Sequence, residues 1–386
     1  MRVRWPAGDR ARHATISGQI LLAAALLLAA GPTAASASPA GAAPPAVALR
    51  SAADSAAGGP IPVLAYYYIW FNPSSWNRAK IDYPLVGRYS SDDVAVMREQ
   101  VRLAKQSGIT GFLVSWKNTP VLDRRLARLR TVAAAAHFKL AVVFEGRDFH
   151  NRPLPLSQVR SSFAYLAAHY GLDPVFSLFG KPTVAWSGTW EFTRPQLKSV
   201  TRAFRSRLVI LAMEKSPSSY QAVAGLFDGD AYYWSSADPM HTPGYTRRLN
   251  EFSADVHAHG GLWIAPAAPG FNARLVGGHR MIPRRGGQTL RVAMNTALDS
   301  SPDAIGLISW NEYSENSEVE PSRAYGATAL KVIAAIEHGK PPAVADFNSS
   351  GPSGFSAGPS QFVTLGALIA LLVGSVAAIV RRGKTR

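Results

Sequence analysis

The 386-residue sequence contains no cysteine. Disulfides and thiolate metal sites are therefore excluded. Residues 61–338, where strand-like and helix-like runs alternate, hold no G-x-S-x-G nucleophile elbow, which removes the usual serine of an α/β-hydrolase esterase. It also has no glycine-rich phosphate loop after its first strand-like run. That run, Val63–Tyr68, continues into Ile69-Trp70-Phe71, a wall of rings where an open dinucleotide-binding sheet carries its phosphate cradle. Histidines are too scattered for a metal: His257 and His259 have no third ligand in view, and His241 and His279 stand alone in loops. No metal and no cofactor is expected.

Acidic residues are scarce, 25 against 41 Lys and Arg, for a formal charge of +16. Much of the excess sits at the ends. Setting aside four Arg and one Asp before residue 38, and four basic residues after Val380, leaves 33 basic against 24 acidic residues, or +9. The remaining cations are spread along helices, as at Arg124, Arg125, Arg128 and Arg130, a solvated-face pattern that could favour an anionic cell surface. No basic run is interleaved with aromatics, so nucleic acid is not an expected partner.

The ends carry their own signals. Arg2, Arg4, Arg10 and Arg12 precede the apolar run Ile20–Ala30 and the small-residue site Ala35-Ser36-Ala37, the pattern of a secretory signal peptide over 1–37. Ala/Pro-rich 38–60 and Gly/Pro/Ser-rich 339–361 bury too little apolar surface to fold and read as linkers. The uncharged run 362–380 is long enough to span a bilayer, and the basic tail 381–386 places that end in the cytoplasm. The expectation is an extracellular domain at the cell membrane on a single C-terminal helix.

Between the linkers, 61–338 alternates short β-rich runs with amphipathic stretches. Val63–Tyr68, Gly111–Trp116, Leu140–Glu145, Pro182–Trp186, Leu208–Met213, Ala231–Trp234, Leu262–Ala265 and Ala304–Trp310 read as strands. Helices are expected at Asp92–Ser107, Leu122–His137, Ser157–Tyr170, Arg194–Phe204, Ser218–Phe227, Tyr245–His259, Gln288–Leu298 and Tyr325–His338. Eight strand–helix units with continuously apolar strands predict an α/β protein of the (β/α)8 TIM-barrel class.

Function in such a barrel sits at the C-terminal ends of the strands. Those ends offer Tyr66, Tyr68 and Trp70; Trp116; Glu145; Trp186 and Trp190; Glu214; Tyr233; and Trp310, Asn311, Glu312, Tyr313 and Glu315. Aromatic faces stack on the C–H faces of sugars, while carboxylates and amides bind hydroxyls and move protons. A glycosidase needs two carboxylates with different tasks. Many barrel glycosidases that retain configuration place them after strands four and seven, which here end without an acid, so both would have to come from strand eight, as Glu312 and Glu315. Close acids split their pKa values, so one can stay protonated beside an ionised neighbour.

The last strand runs into WNEYSENSEVEP, residues 310–321. It resembles the W-N-E-W-x-E-x-[ST]-x-[IV]-E-P signature of glycoside hydrolase family 99 and the related 71/99-like barrels, with Tyr313 in place of the usual Trp. The aromatic first strand, Ser115-Trp116, Phe144-Glu145 and Pro269-Gly270-Phe271-Asn272 agree as well. The resemblance implies that Glu315 is the general acid/base and that Glu312 deprotonates the substrate's own 2-hydroxyl. That hydroxyl attacks the anomeric carbon to give a 1,2-anhydro sugar, which water opens with net retention. It further implies Glu145 as a hydroxyl ligand, Tyr66, Trp116 and Tyr233 as walls, and a polysaccharide or oligosaccharide as partner. Tyr68, Trp186, Trp310, Asn311 and Tyr313 complete the expected binding set. A reading from another class is a barrel that binds or remodels surface polysaccharide without hydrolysis, as 71/99-like domains are associated with polysaccharide biosynthesis.

Overall fold

The structure, a computed structural model, describes residues 60–337. The expected leader, the trans-bilayer run, the basic tail and nearly all of both linkers lie outside the described residues. Among the described residues no helix is long and apolar enough to cross a membrane.

Eight parallel strands close into a barrel: β1 (Val63–Tyr68), β2 (Gly111–Trp116), β3 (Lys139–Glu145), β4 (Thr183–Ser187), β5 (Val209–Ala212), β6 (Gly229–Ala231), β7 (Leu262–Ala267) and β8 (Ala304–Leu307). β8 pairs with β1 at Val63↔Ile305 to shut the ring. The helices that follow are α1 (Val94–Gln106), α2 (Pro120–Ala135), α3 (Leu156–His169), α4 (Arg194–Phe204), α5 (Pro217–Val223), α6 (Tyr245–Ala258), α7 (Gln288–Asp299) and α8 (Thr328–Glu337). The chain has the (β/α)8 architecture that its alternation predicts.

Local signals explain where the elements start. The Asp93 carboxylate accepts from the Ala95 and Val96 N–H groups and caps α1. Thr119 caps α2 by accepting from Leu122, and Pro120 takes the first turn, where its missing N–H costs nothing.

Strand side chains alternate between two cores, and this sorts the site. Leu64 and Tyr66, Leu113, Ala141 and Val143, Ala185, Leu211, Ala231 and Ile264 fill the barrel interior. Tyr68, Ser115, Glu145 and Tyr233 continue the same parity to the open end. Residues of the other parity face the helices: Phe144, Trp186 and Phe163 of α3 pack there as one aromatic layer.

Two strands differ from expectation. β6 is Gly229–Ala231, sharing only Ala231 with the expected Ala231–Trp234. A Cβ at Gly229 would lie 2.0 Å from the Leu262 carbonyl oxygen, so only glycine lets β6 reach β7. Carboxylates also replace part of the ladder: Asp228 accepts from the Ile210 N–H and Asp230 from the Glu214 N–H. β8 ends at Leu307 rather than Trp310, and the peptide between Ile308 and Ser309 is cis.

Candidate active site

The connection after β8 is built to hold two acids. The Trp310 N–H donates to the Tyr66 carbonyl at 2.7 Å. One residue on, the Asn311 side chain takes over as a strand partner. Its Oδ1 accepts from the Tyr68 N–H at 2.8 Å and its Nδ2 donates to the Tyr68 carbonyl at 3.0 Å. An amide side chain thus continues the β1–β8 ladder and fixes Tyr68. Ser309 Oγ then accepts from the Glu312 N–H at 2.7 Å, and Glu312 Oε1 accepts from the Ser314 N–H at 3.0 Å.

Behind this loop lie the other two acids of the run. Glu320 is buried and accepts from Gln100 Nε2 at 2.6 Å, the Tyr313 hydroxyl at 3.0 Å and the Tyr89 hydroxyl at 3.1 Å. Burial pushes it up to about 7, and those three donors pull it back. Glu318 is paired with Arg284 at 2.7 Å, and the same guanidinium donates to the Glu318 and Asn316 carbonyls. Burial lifts Glu318 to about 8 against that pull. Glu318 and Glu320 therefore brace the loop from behind, as two buried anchors.

Tyr313 belongs to this bracing. Its ring is buried, meets Trp76 edge-on at 5.5 Å, and shares an aromatic cluster with Phe71 and Tyr89. The expectation that it contacts substrate is corrected: it faces the scaffold, where its hydroxyl gives Glu320 a donor that phenylalanine lacks. Tyr313→Phe is expected to lower stability by about 1.5–3 kcal/mol, the range for losing a hydrogen bond to a charged group. KM should stay unchanged, as denaturant melts alongside steady-state kinetics would show.

Glu312 and Glu315 face the open end, nearly but not completely covered. Burial pushes the Glu312 carboxyl up to about 7, opposed by the Ser314 N–H and the charge of Lys80. Burial drives Glu315 well above the usual carboxylate range, and the neighbouring Glu312 charge adds to it. Glu315 Oε2 is buried without a hydrogen-bond partner, while the Asn272 N–H fixes the Glu315 backbone carbonyl at 2.6 Å. One acid thus ionises near neutrality, and the other holds its proton.

Three more expected residues converge here. The Tyr68 hydroxyl lies 3.0 Å from that of Tyr233 and feels the charges of Glu312, Glu315 and Glu145. Burial, first, and those charges keep it protonated. Glu145 Oε1 accepts from Ser115 Oγ at 2.8 Å. Tyr66 lies one layer deeper, edge-on to Tyr233 at 5.0 Å, so it floors the site instead of walling it.

The tryptophans are placed elsewhere, which corrects the expectation that they line the cleft. Trp116 follows inward-facing Ser115, so it points outward and stacks on Tyr165 of α3 at 6.0 Å. Trp186 lies between inward Ala185 and Ser187 and packs on Phe163 and Phe192. Trp310 is fully buried beside Phe112 at 5.3 Å. Asn311 is likewise fully buried and spends its amide on Tyr68 and Tyr89. Glu214, of outward parity, accepts from Thr189 Oγ1 at 2.6 Å.

Other groups enter the site without any sequence signal of spacing. Lys80, in the long β1–α1 connection, lies 3.5 Å from Ser314 Oγ; burial lowers its pKa and the Glu312 charge raises it. Asn272 and Arg284 come from the β7–α7 connection, which carries a two-stranded ribbon, Phe271–Asn272 with Met281–Ile282. Trp70, noted only as a strand-end ring, is partly exposed and lies 4.2 Å from Tyr68.

Comparison with known proteins identifies the family of this barrel. Residues 72–333 match the model of glycosyl hydrolase family 99. The chain is 22% identical over 269 residues to a rat glycoprotein endo-alpha-1,2-mannosidase, covering 62% of this chain and 56% of the relative. A mouse protein of the same name matches at 22% over 272 residues, with the same coverage. The chain thus spans a little over half the length of these curated relatives. Among solved structures, a GH99 endo-alpha-mannosidase from Bacteroides thetaiotaomicron superposes with a TM-score of 0.62 at 18% identity, covering 75% of this chain and 98% of that one. With the family model matching well over half its length, the chain belongs to glycosyl hydrolase family 99, on a closed (β/α)8 barrel.

Proposed function

We propose that the chain hydrolyses α-linked glycans, α-1,2-mannosidic linkages first among them, with retention of configuration. The observation that carries this is the pairing of two adjacent buried carboxylates, Glu312 and Glu315, at the mouth of a family 99 barrel. The named activity of the curated relatives supports the choice of sugar.

Glu312 takes the proton of the substrate's 2-hydroxyl, whose oxygen attacks the anomeric carbon. The bond to the leaving oxygen breaks as Glu315 gives that oxygen its proton. Water then attacks the anomeric carbon of the 1,2-anhydro sugar and loses a proton to Glu315, as the bond from that carbon to the 2-oxygen breaks and leaves its electron pair on the 2-oxygen. Glu312 returns its proton to the 2-oxygen. Lys80 steadies the Glu312 anion, Glu145 and Tyr68 bind sugar hydroxyls, and Trp70 and Tyr233 offer ring faces.

Incubation with an α-1,2-linked manno-oligosaccharide, followed by NMR, tests the reading: the first-formed hemiacetal should be the α anomer. A β anomer first would sink it. The pH profile of kcat/KM should be bell-shaped. Glu312 must be ionised, so activity is lost as pH falls through about 7. Glu315 must be protonated, so activity is lost again at higher pH, where that carboxyl ionises. These limbs belong to the pair and are fitted as such.

We further propose an extracellular location, on a single-pass C-terminal tether. Support comes from the leader-like 1–37, the apolar 362–380 and the basic tail 381–386. Protease accessibility of the barrel on intact cells tests it.

A further inference from the structure

The two ends of the barrel differ in what they show to solvent. Among the described residues, six of the seven exposed large apolar side chains lie at the mouth: Ile81, Leu85, Val121, Met240, Leu275 and Met281. Only Leu172 lies on the opposite rim. The charges divide the same way. The connections that follow the strands carry eight exposed Lys or Arg and one exposed acid, Glu191. The opposite connections carry one exposed Lys or Arg, Arg207, and no exposed acid. The acids of the mouth are otherwise at least partly covered, the four of the 310–321 run buried.

The ribbon between β7 and α7 gathers both features. Residues 268–298 contain no Asp or Glu. Leu275 is 51%, Met281 46% and Met240 45% exposed. Arg280 donates to the Ser236 carbonyl and Arg285 pairs with Asp238, so the ribbon is tied to the connection that bears Met240. At its base, the Asn272 N–H holds the Glu315 carbonyl. Arg274 is exposed beside Leu275.

We propose that this mouth face docks on an anionic lipid bilayer. Large apolar side chains left in water beside cations form an interfacial anchor: the apolar groups enter the headgroup boundary while the cations meet anionic headgroups. An acidic protein surface would satisfy the charges, but it would not call for scattered apolar tips across three separate connections and the first turn of α2. The mouth then opens onto the headgroup layer, and the glycan within reach is one borne by a lipid headgroup. That last step rests on the glycosidase reading; the docking does not.

The absence of cysteine gives a clean test, since one can be introduced and labelled. In the full chain, an environment-sensitive fluorophore on Leu275→Cys should shift blue with phosphatidylcholine–phosphatidylglycerol vesicles and be quenched by lipid-borne quenchers. The same fluorophore on Leu172→Cys should keep its aqueous emission. Omitting phosphatidylglycerol, or introducing R274E with R280E, should weaken the response at position 275 at least about tenfold. R78E with R323E, on other connections, repeats the charge test without touching the ribbon. An aqueous signal at 275 on anionic vesicles, or equal responses at 275 and 172, overturns the proposal. So does a response to soluble dextran sulfate without one to vesicles, which assigns the face to free polyanions.

Discussion

Glu315→Gln should lower kcat on an unactivated α-mannoside by about 10²–10⁴-fold, the range for removing a general acid/base. The amide keeps the volume and planar shape of the acid, and the Asn272 N–H still finds the backbone carbonyl it holds. The fold should therefore persist, and the loss should appear in turnover with KM little changed. What disappears is the proton that burial and the Glu312 charge keep on Glu315. A substrate whose leaving group needs no protonation, such as a glycosyl fluoride, should recover much of the first step. Equal deficits on both substrates would contradict an acid role.

Glu312→Gln should cost about the same, 10²–10⁴-fold, but without relief from a good leaving group, because the lost function is on the sugar side. A second signature follows from electrostatics. The Glu312 charge raises the Glu315 pKa. Removing it lets Glu315 ionise more easily, so the basic limb of the residual kcat/KM profile should move to lower pH. The acidic limb, which reports Glu312 ionising, should vanish. A basic limb that stays in place would mean that the two carboxyls do not interact. Circular dichroism of both variants separates lost chemistry from lost structure.

The barrel was legible because eight apolar strands and eight amphipathic helices alternate without a break. The acid pair was legible because Glu312 and Glu315 follow the last strand directly. Much of the wall was misread for one physical reason. Strand side chains alternate faces, so a tryptophan at a strand end points into the cleft only with the right parity. Ser115 and Glu145 have it; Trp116 and Trp186 do not. Parity could have been counted from Leu113 and Ala185 alone. β6 was misplaced because Tyr232-Tyr233-Trp234 looks more strand-like than Gly229-Asp230, whose pairing depends on a missing side chain and two borrowed carboxylates. Lys80, Asn272 and Arg284 reach the site through tertiary folding of long connections, for which local periodicity offers no signal. Tyr313 illustrates the reverse case. It stands out in the sequence against a usual Trp, yet the fold turns it away from the cleft toward Glu320.

In the proposed reaction the substrate's own 2-hydroxyl, activated by Glu312, is the nucleophile. The most direct test is a matched pair of α-mannosides differing only at carbon 2, one bearing the hydroxyl and one with it removed. The first should turn over with retained configuration, and the second should give no retained product even at saturation. Retaining hydrolysis of the 2-deoxy substrate at a comparable kcat would contradict this, because a protein carboxylate would then have to be the nucleophile.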